Sequence, residues 1–275
     1  MLMRSAAQDP QAPHSRTVAF FTIAAAAFLA ASLAWPVLSS RAAEPHAEAG
    51  PTTVHLDTPQ GGVDAFVAWP AGTGKAPAVI VVHEWWGLND QIREMARRMA
   101  RQGYVAIVPD LYHGKSATTP EEAHELVRGL EDTRVFAELD AACGWLARQP
   151  RTAGSSIGEM GFCVGGGIAL RYALHSPSLA AVVMFYGPPE TDVAKLAALK
   201  APLLGHFGAT DQGITPERVE AFRSALGKAG KKSDIYLYSG AGHAFMHEGL
   251  PGYHADAARV AWARTLAFLQ RYVKD

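Results

Sequence analysis

From residue 52 onward, short runs of Val, Ile, Leu and Ala alternate with longer stretches in which apolar positions recur every three or four residues. Strands apolar on both faces, alternating with one-sided helices, are the ingredients of a mostly parallel sheet covered on both sides. Residues 53–56 and 63–69 predict a lead-in hairpin turning at Gly61-Gly62. The run 78–83 is continuous Val and Ile, as a strand buried on both faces requires. Residues 89–102 predict a helix, capped by Asn89 or Asp90 and ended by Gly103, and 104–108 predicts the next strand. A charged helix after Pro120 precedes a second at 133–148, whose Val135, Phe136, Leu139, Ala142 and Leu146 share one face. The remainder predicts strands at 157–162, 180–185, 202–207 and 235–238 and helices at 164–175, 216–226 and 253–272. The fold class is α/β, a mostly parallel central sheet with helices on both faces and no internal repeat.

The amino terminus reads differently. Arg4 and Arg16 precede an apolar run at 18–38, and Ser40 and Ala42 are small residues where an export peptidase cuts. Residues 1–43 are therefore expected to be a signal peptide cleaved near Ala42 or Ala43, which makes the protein periplasmic or secreted. The alternative is a membrane anchor at 17–38, long enough to span a bilayer though interrupted by Pro36. Residues 44–51 read as a short linker and 52–275 as one domain. Of 275 residues, 49% are hydrophobic and the formal net charge is −1, which supports a sizeable core and argues against nucleic-acid binding. Two cysteines, Cys143 and Cys163, do not make a disulfide scaffold. One disulfide between them stays open, but Cys143 lies in a helical pattern and reads as a small buried hydrophobe.

Cys163 has a more specific context. Gly161-Phe162-Cys163-Val164-Gly165 falls between a predicted strand and a predicted helix, with the G-x-nucleophile-x-G spacing of a nucleophile elbow. A thiol at a helix amino terminus meets the positive end of the helix dipole, which favours thiolate. Asp211 follows the strand at 202–207, and His243 follows the strand at 235–238 in a Gly-rich loop. Nucleophile, acid and histidine thus occur in the chain order of the α/β-hydrolases. In that arrangement His243 accepts the thiol proton and returns one to the leaving group, while Asp211 orients the ring. The 11 histidines show no metal-ligand spacing, and Gly165-Gly166-Gly167 is not a phosphate loop, so neither metal nor cofactor is expected.

His83-Glu84-Trp85-Trp86-Gly87-Leu88-Asn89, Pro109-Asp110-Leu111-Tyr112, the elbow continued to Gly166, and Gly242-His243-Ala244-Phe245 together resemble the dienelactone hydrolase family over nearly the whole chain after the leader. The resemblance implies an α/β-hydrolase that opens enol-lactones through a thioester, with Cys163, Asp211 and His243 as its triad. It implies that Glu84 contacts the resting thiol and helps activate it. The backbone N–H groups of Val164 and Trp85 fall where the fold keeps its oxyanion hole. Tyr112, Trp86, Phe245 and His247 are candidate substrate contacts. Two arginines that bind the substrate carboxylate in the family are here Gly114 and His247, and Lys115 and His247 offer charge nearby without the arginine fork. The expectation is a monomeric, cofactor-free hydrolase of a small ester or lactone, touching membrane only through an uncleaved leader. The alternative is a catalytically silent protein of the same fold that binds a ligand or partner.

Overall fold

A computed structural model describes residues 49–273. The leader at 1–43, the anchor reading of 17–38 and the first part of the linker, 44–48, lie outside the described residues. Strands β1 (Ala49–Leu56) and β2 (Val63–Trp69) form the antiparallel lead-in hairpin. They are followed by β3 (Ala76–Val82), β4 (Val105–Pro109), β5 (Thr152–Phe162), β6 (Leu179–Phe185), β7 (Leu203–Gly208) and β8 (Ser233–Tyr238). One eight-stranded sheet runs β1-β2-β4-β3-β5-β6-β7-β8, antiparallel at its β1-β2-β4 edge and parallel from β4 to β8.

Helices cover both faces because each carries one apolar stripe. On one face α3 (Asp132–Arg148), α4 (Val164–His175) and α6 (Pro216–Lys228) bury Val135, Leu139, Ile168, Tyr172, Val219 and Phe222 against the sheet. On the other, α1 (Asp90–Arg101) and α7 (Ala255–Tyr272) bury Ile92, Met95, Met99, Ala261 and Leu269. In α1 the buried positions fall at i, i+3, i+4, i+7 and i+8, and Asn89 caps the first turn by accepting from the Ile92 N–H at 3.0 Å. Each large side chain on that stripe contributes about 1.5–3 kcal/mol of burial. A charge at Met99, fully enclosed, would reverse its share. The charged helix α2 (Pro120–Arg128) starts at a Thr119–Glu122 capping box with Pro120 in the first turn.

The sequence pattern differs from the structure at identifiable points. Residues 49–51, expected in the linker, already belong to β1, where Ala49 pairs with Trp69, so the first strand begins four residues before the expected 53. Strand β5 starts at Thr152 rather than 157, through register shifts between Ala76 and Ala78 and between Ile157 and Gly158. Its Gly and Ser residues have poor strand propensity, and neighbouring strands recruit them. The last helix starts at Ala255, where the His254 ring accepts from the Ala257 N–H. A single turn, α5 (Val193–Leu196), was not predicted because four residues carry no readable period. Among the described residues no helix is long and apolar enough to cross a membrane.

Candidate active site

Cys163 sits between the end of β5 and the start of α4 with φ 52° and ψ −120°, a conformation that costs a non-glycine residue roughly 1–3 kcal/mol. Its N–H is tied to the Phe185 carbonyl at 3.0 Å and its carbonyl to the Gly166 N–H at 3.0 Å, so the turn is held from both ends. The neighbouring glycines are steric requirements. A Cβ on Gly161 would lie 2.1 Å from the Gly165 carbonyl oxygen, and one on Gly165 would lie 2.3 Å from that of His83. Helix and strand therefore close to a distance only glycine allows, and the thiol is carried to the carboxyl end of the sheet.

His243 and Asp211 reach Cys163 from loops after β8 and β7. His243 Nε2 lies 3.1 Å from Cys163 Sγ, and its Nδ1 lies 2.7 Å from Asp211 Oδ2. The other Asp211 oxygen accepts from the N–H groups of Gly213 and Ile214 at 2.8 and 3.0 Å. Burial alone would push the His243 imidazole down, but its bonds to Asp211 and Cys163 outweigh that and raise its pKa to about 10. Burial opposes the Asp211 carboxylate too, and the His243 ring with the two backbone N–H groups holds its pKa below the usual value. The Cys143 thiol, carried by α3, is pushed up to about 12 by burial. Both cysteines are free.

A second layer surrounds this trio. Glu84, just past β3, is buried, with one oxygen accepting from the Tyr186 hydroxyl at 3.1 Å and the other 2.7 Å from His247 Nδ1. Its hydrogen bonds thus go to Tyr186 and His247, while the thiol, whose contact with Glu84 the family resemblance implies, lines the same cleft. Tyr186 follows β6 at φ 40° and packs on the His243 ring at 5.2 Å. Four non-glycine residues of the described chain have positive φ, and three of them, Cys163, Tyr186 and Ala244, stand in or against this site. His83 is fully enclosed, and burial lowers its pKa, so its ring is neutral. Its Nδ1 lies 2.7 Å from the Glu84 carbonyl oxygen, an acceptor only, and therefore carries the proton.

These side chains border a cleft of about 240 Å³ lined by Glu84, Trp85, Trp86, Cys163, His243, Ala244 and Leu250. A strained elbow cysteine, a histidine within reach of its sulfur and an orienting carboxylate are the parts nucleophilic hydrolysis needs. Comparison with known proteins gives the same direction, since residues 63–273 match the model of the "Dienelactone hydrolase family". The chain belongs to the dienelactone hydrolase family. A Salmonella typhimurium relative named "Putative carboxymethylenebutenolidase" is 36% identical, over 81% of this chain and 92% of its own length. A Bradyrhizobium relative named "Probable 2-oxo-3-(5-oxofuran-2-ylidene)propanoate lactonase" is 32% identical, over 75% of this chain and 88% of its own. A Klebsiella pneumoniae crystal structure of a "Putative Dienelactone Hydrolase" superposes with a TM-score of 0.73 at 34% identity, covering 81% of this chain and 100% of that one. The protein is a hydrolase of α/β-hydrolase fold.

Against that family frame, the residues expected at the site divide. Cys163, His243, Asp211, Glu84, Trp85 and Trp86 converge. Tyr112 and Phe245, expected to touch substrate, do not line the cleft. Phe245 is fully buried against Tyr186 and Tyr238, because Ala244 at φ 57° turns the chain inward after His243. Tyr112 is buried with its hydroxyl donating to the Trp85 carbonyl at 3.2 Å. His247 is only 12% exposed and is held by Glu84. Tyr186 and Leu250 are not singled out by the sequence, and His83 enters it only as the first residue of the His83–Asn89 segment. Tyr186 falls just past a strand, and Leu250 reaches the cleft from an irregular loop with no periodicity to mark it. Among the described residues no group of three or more His, Cys, Asp or Glu is placed to hold a metal ion.

Proposed function

We propose that this protein cleaves a small ester or lactone with Cys163 as nucleophile, through a thioester. The single observation that carries the reading is the continuous chain Asp211–His243–Cys163 at 2.7 and 3.1 Å, ending on a strained elbow residue. Cys163 Sγ, its proton passed to His243 Nε2, attacks the substrate carbonyl, and the oxyanion takes hydrogen bonds from the N–H groups of Val164, the first residue of α4, and Trp85. His243 gives its proton to the leaving oxygen as the C–O bond breaks, leaving the acyl group on sulfur. It then takes a proton from water, which attacks the thioester and releases the acid and the Cys163 sulfur.

The Trp85 donor is oriented by its neighbours. The Glu84 carbonyl is bonded to His83 Nδ1 at 2.7 Å and to the Gly87 N–H at 3.1 Å. Because the peptide is planar and trans, the Trp85 N–H in the same plane points to the opposite side.

Hydrolysis of p-nitrophenyl acetate, a dienelactone and a neutral lactone by the intact protein and by Cys163→Ala tests the reading. Loss of at least about a thousandfold in kcat/KM is expected for the variant. Equal, background-level rates would favour a silent ligand-binding protein of the same fold. The leader is proposed to direct export. Amino-terminal sequencing of protein recovered from a periplasmic fraction should begin near Glu44; an intact Met1 in the membrane fraction would favour the anchor at 17–38.

A further inference from the structure

The charge and shape of the cleft narrow the substrate beyond ester or lactone. Trp85, Trp86, Ala244 and Leu250 form its apolar walls, and among the described residues neither Lys nor Arg lines it. The two indoles meet edge to face at 4.8 Å, and Trp85 also meets the His124 ring edge-on at 5.2 Å, which fixes them as a rigid aromatic wall. Such walls pack best against flat apolar groups. The cleft's 240 Å³ falls below the roughly 300–1,000 Å³ of pockets for drug-sized ligands, so the occupant is small.

The ionisable lining groups are already paired. Each oxygen of Glu84 already has a partner within the protein, Tyr186 for one and His247 for the other. Both ring nitrogens of His243 are engaged, by Asp211 and by Cys163, so no imidazole N–H is free for a substrate anion. A carboxylate on the acyl group would lose water, find no cation other than the His243 ring already held between Asp211 and Cys163, and lie in a cleft that Glu84 also lines.

We propose that the site selects small esters or lactones whose acyl part is flat and uncharged, an aromatic or unsaturated ring, and discriminates against carboxylate-bearing substrates. The proposal rests on the hydrolase reading above and deepens it. Trp85, Trp86 and Leu250 are then its specificity-determining residues.

The test pairs p-nitrophenyl benzoate with p-nitrophenyl 4-carboxybenzoate, which share leaving group and ring and differ in one charge. Two quantities are measured: kcat/KM for the intact protein, and affinity of both esters for Cys163→Ala by calorimetry, where turnover does not intervene. About a hundredfold preference for the uncharged ester is expected in both. Leu250→Arg, which adds a cation to the wall, should shrink that preference at least about tenfold. Equal or tighter binding of the carboxylate, or no binding of either ester, overturns the proposal. Selective binding without turnover of either ester by the intact protein supports this proposal and overturns the cysteine-hydrolase reading, so the two fail separately.

Discussion

His83 illustrates how much of this site depends on a side chain that never meets substrate. It is enclosed and neutral, its Nδ1 pins the Glu84 carbonyl, and its Nε2 has no hydrogen-bond partner. An unpaired buried nitrogen costs about 1–3 kcal/mol, a cost consistent with a positioning role for the ring. Under the proposed mechanism His83→Ala should lower kcat by roughly 10²-fold, as loss of an oxyanion donor does, while changing KM little. His83→Gln, which keeps a donor near the same place, should recover part of that loss. Steady-state kinetics on both variants checks it, and equal defects in kcat and in thermal stability for the two would assign His83 to packing alone. The Glu84 carboxylate has a similar history. Its presence was readable from the His83–Asn89 segment, but its partners, Tyr186 and His247, stand 102 and 163 positions away and no local pattern names them.

The elements that the sequence predicted well are those whose periodicity and end signals agree. In α1 the apolar stripe, the Asn89 cap and Gly103 all say the same thing, and the helix forms at Asp90–Arg101. In β5 they disagree, since the apolar pattern begins only at Ile157, after Gly154, Ser155 and Ser156, yet the strand extends to Thr152. The junction of β5 with α4 was legible because steric closeness leaves a compositional mark. Gly165→Ala would place a Cβ 2.3 Å from the His83 oxygen and 2.6 Å from that of Val82, backbone atoms that cannot step aside. We expect a loss of at least about 1–3 kcal/mol, measured by urea denaturation. Gly227→Ala in α6, where a Cβ meets nothing within 4 Å, should be neutral or stabilising by up to about 1 kcal/mol and serves as the control. If Gly165→Ala is as benign as Gly227→Ala, the close approach at the elbow is wrong.

Across the sheet as a unit, one charged residue contradicts its surroundings. Glu159 lies in the middle of β5, paired in register with Ile80 and Val182, fully buried and with neither oxygen hydrogen-bonded. Burial raises its pKa well above the ordinary carboxylate value. The folded protein therefore keeps a proton that the unfolded chain releases above about pH 4.3, so this residue's contribution to stability falls as pH rises through that point. Glu159→Met should stabilise the fold by roughly 1–3 kcal/mol at pH 8, with a smaller gain at pH 4. Denaturant midpoints at both pH values decide it, and an identical gap at the two would mean the acid is not held neutral.

The alternation of apolar runs and one-sided helices, the glycines of the elbow and the order Cys163, Asp211, His243 were all present in the amino-acid order, because each is a local requirement of backbone geometry or a consequence of strand sequence in this fold. The lining of the cleft was not. Phe245 and Tyr112 turn inward, Leu250 arrives from a loop, and His247 is consumed by Glu84, because side-chain direction after a positive-φ turn and pairing across the sheet depend on residues far apart in the chain. That Gly114 and His247 replace two arginines is legible in the sequence, but the charge a substrate meets is the sum of such pairings, and those only the tertiary structure decides.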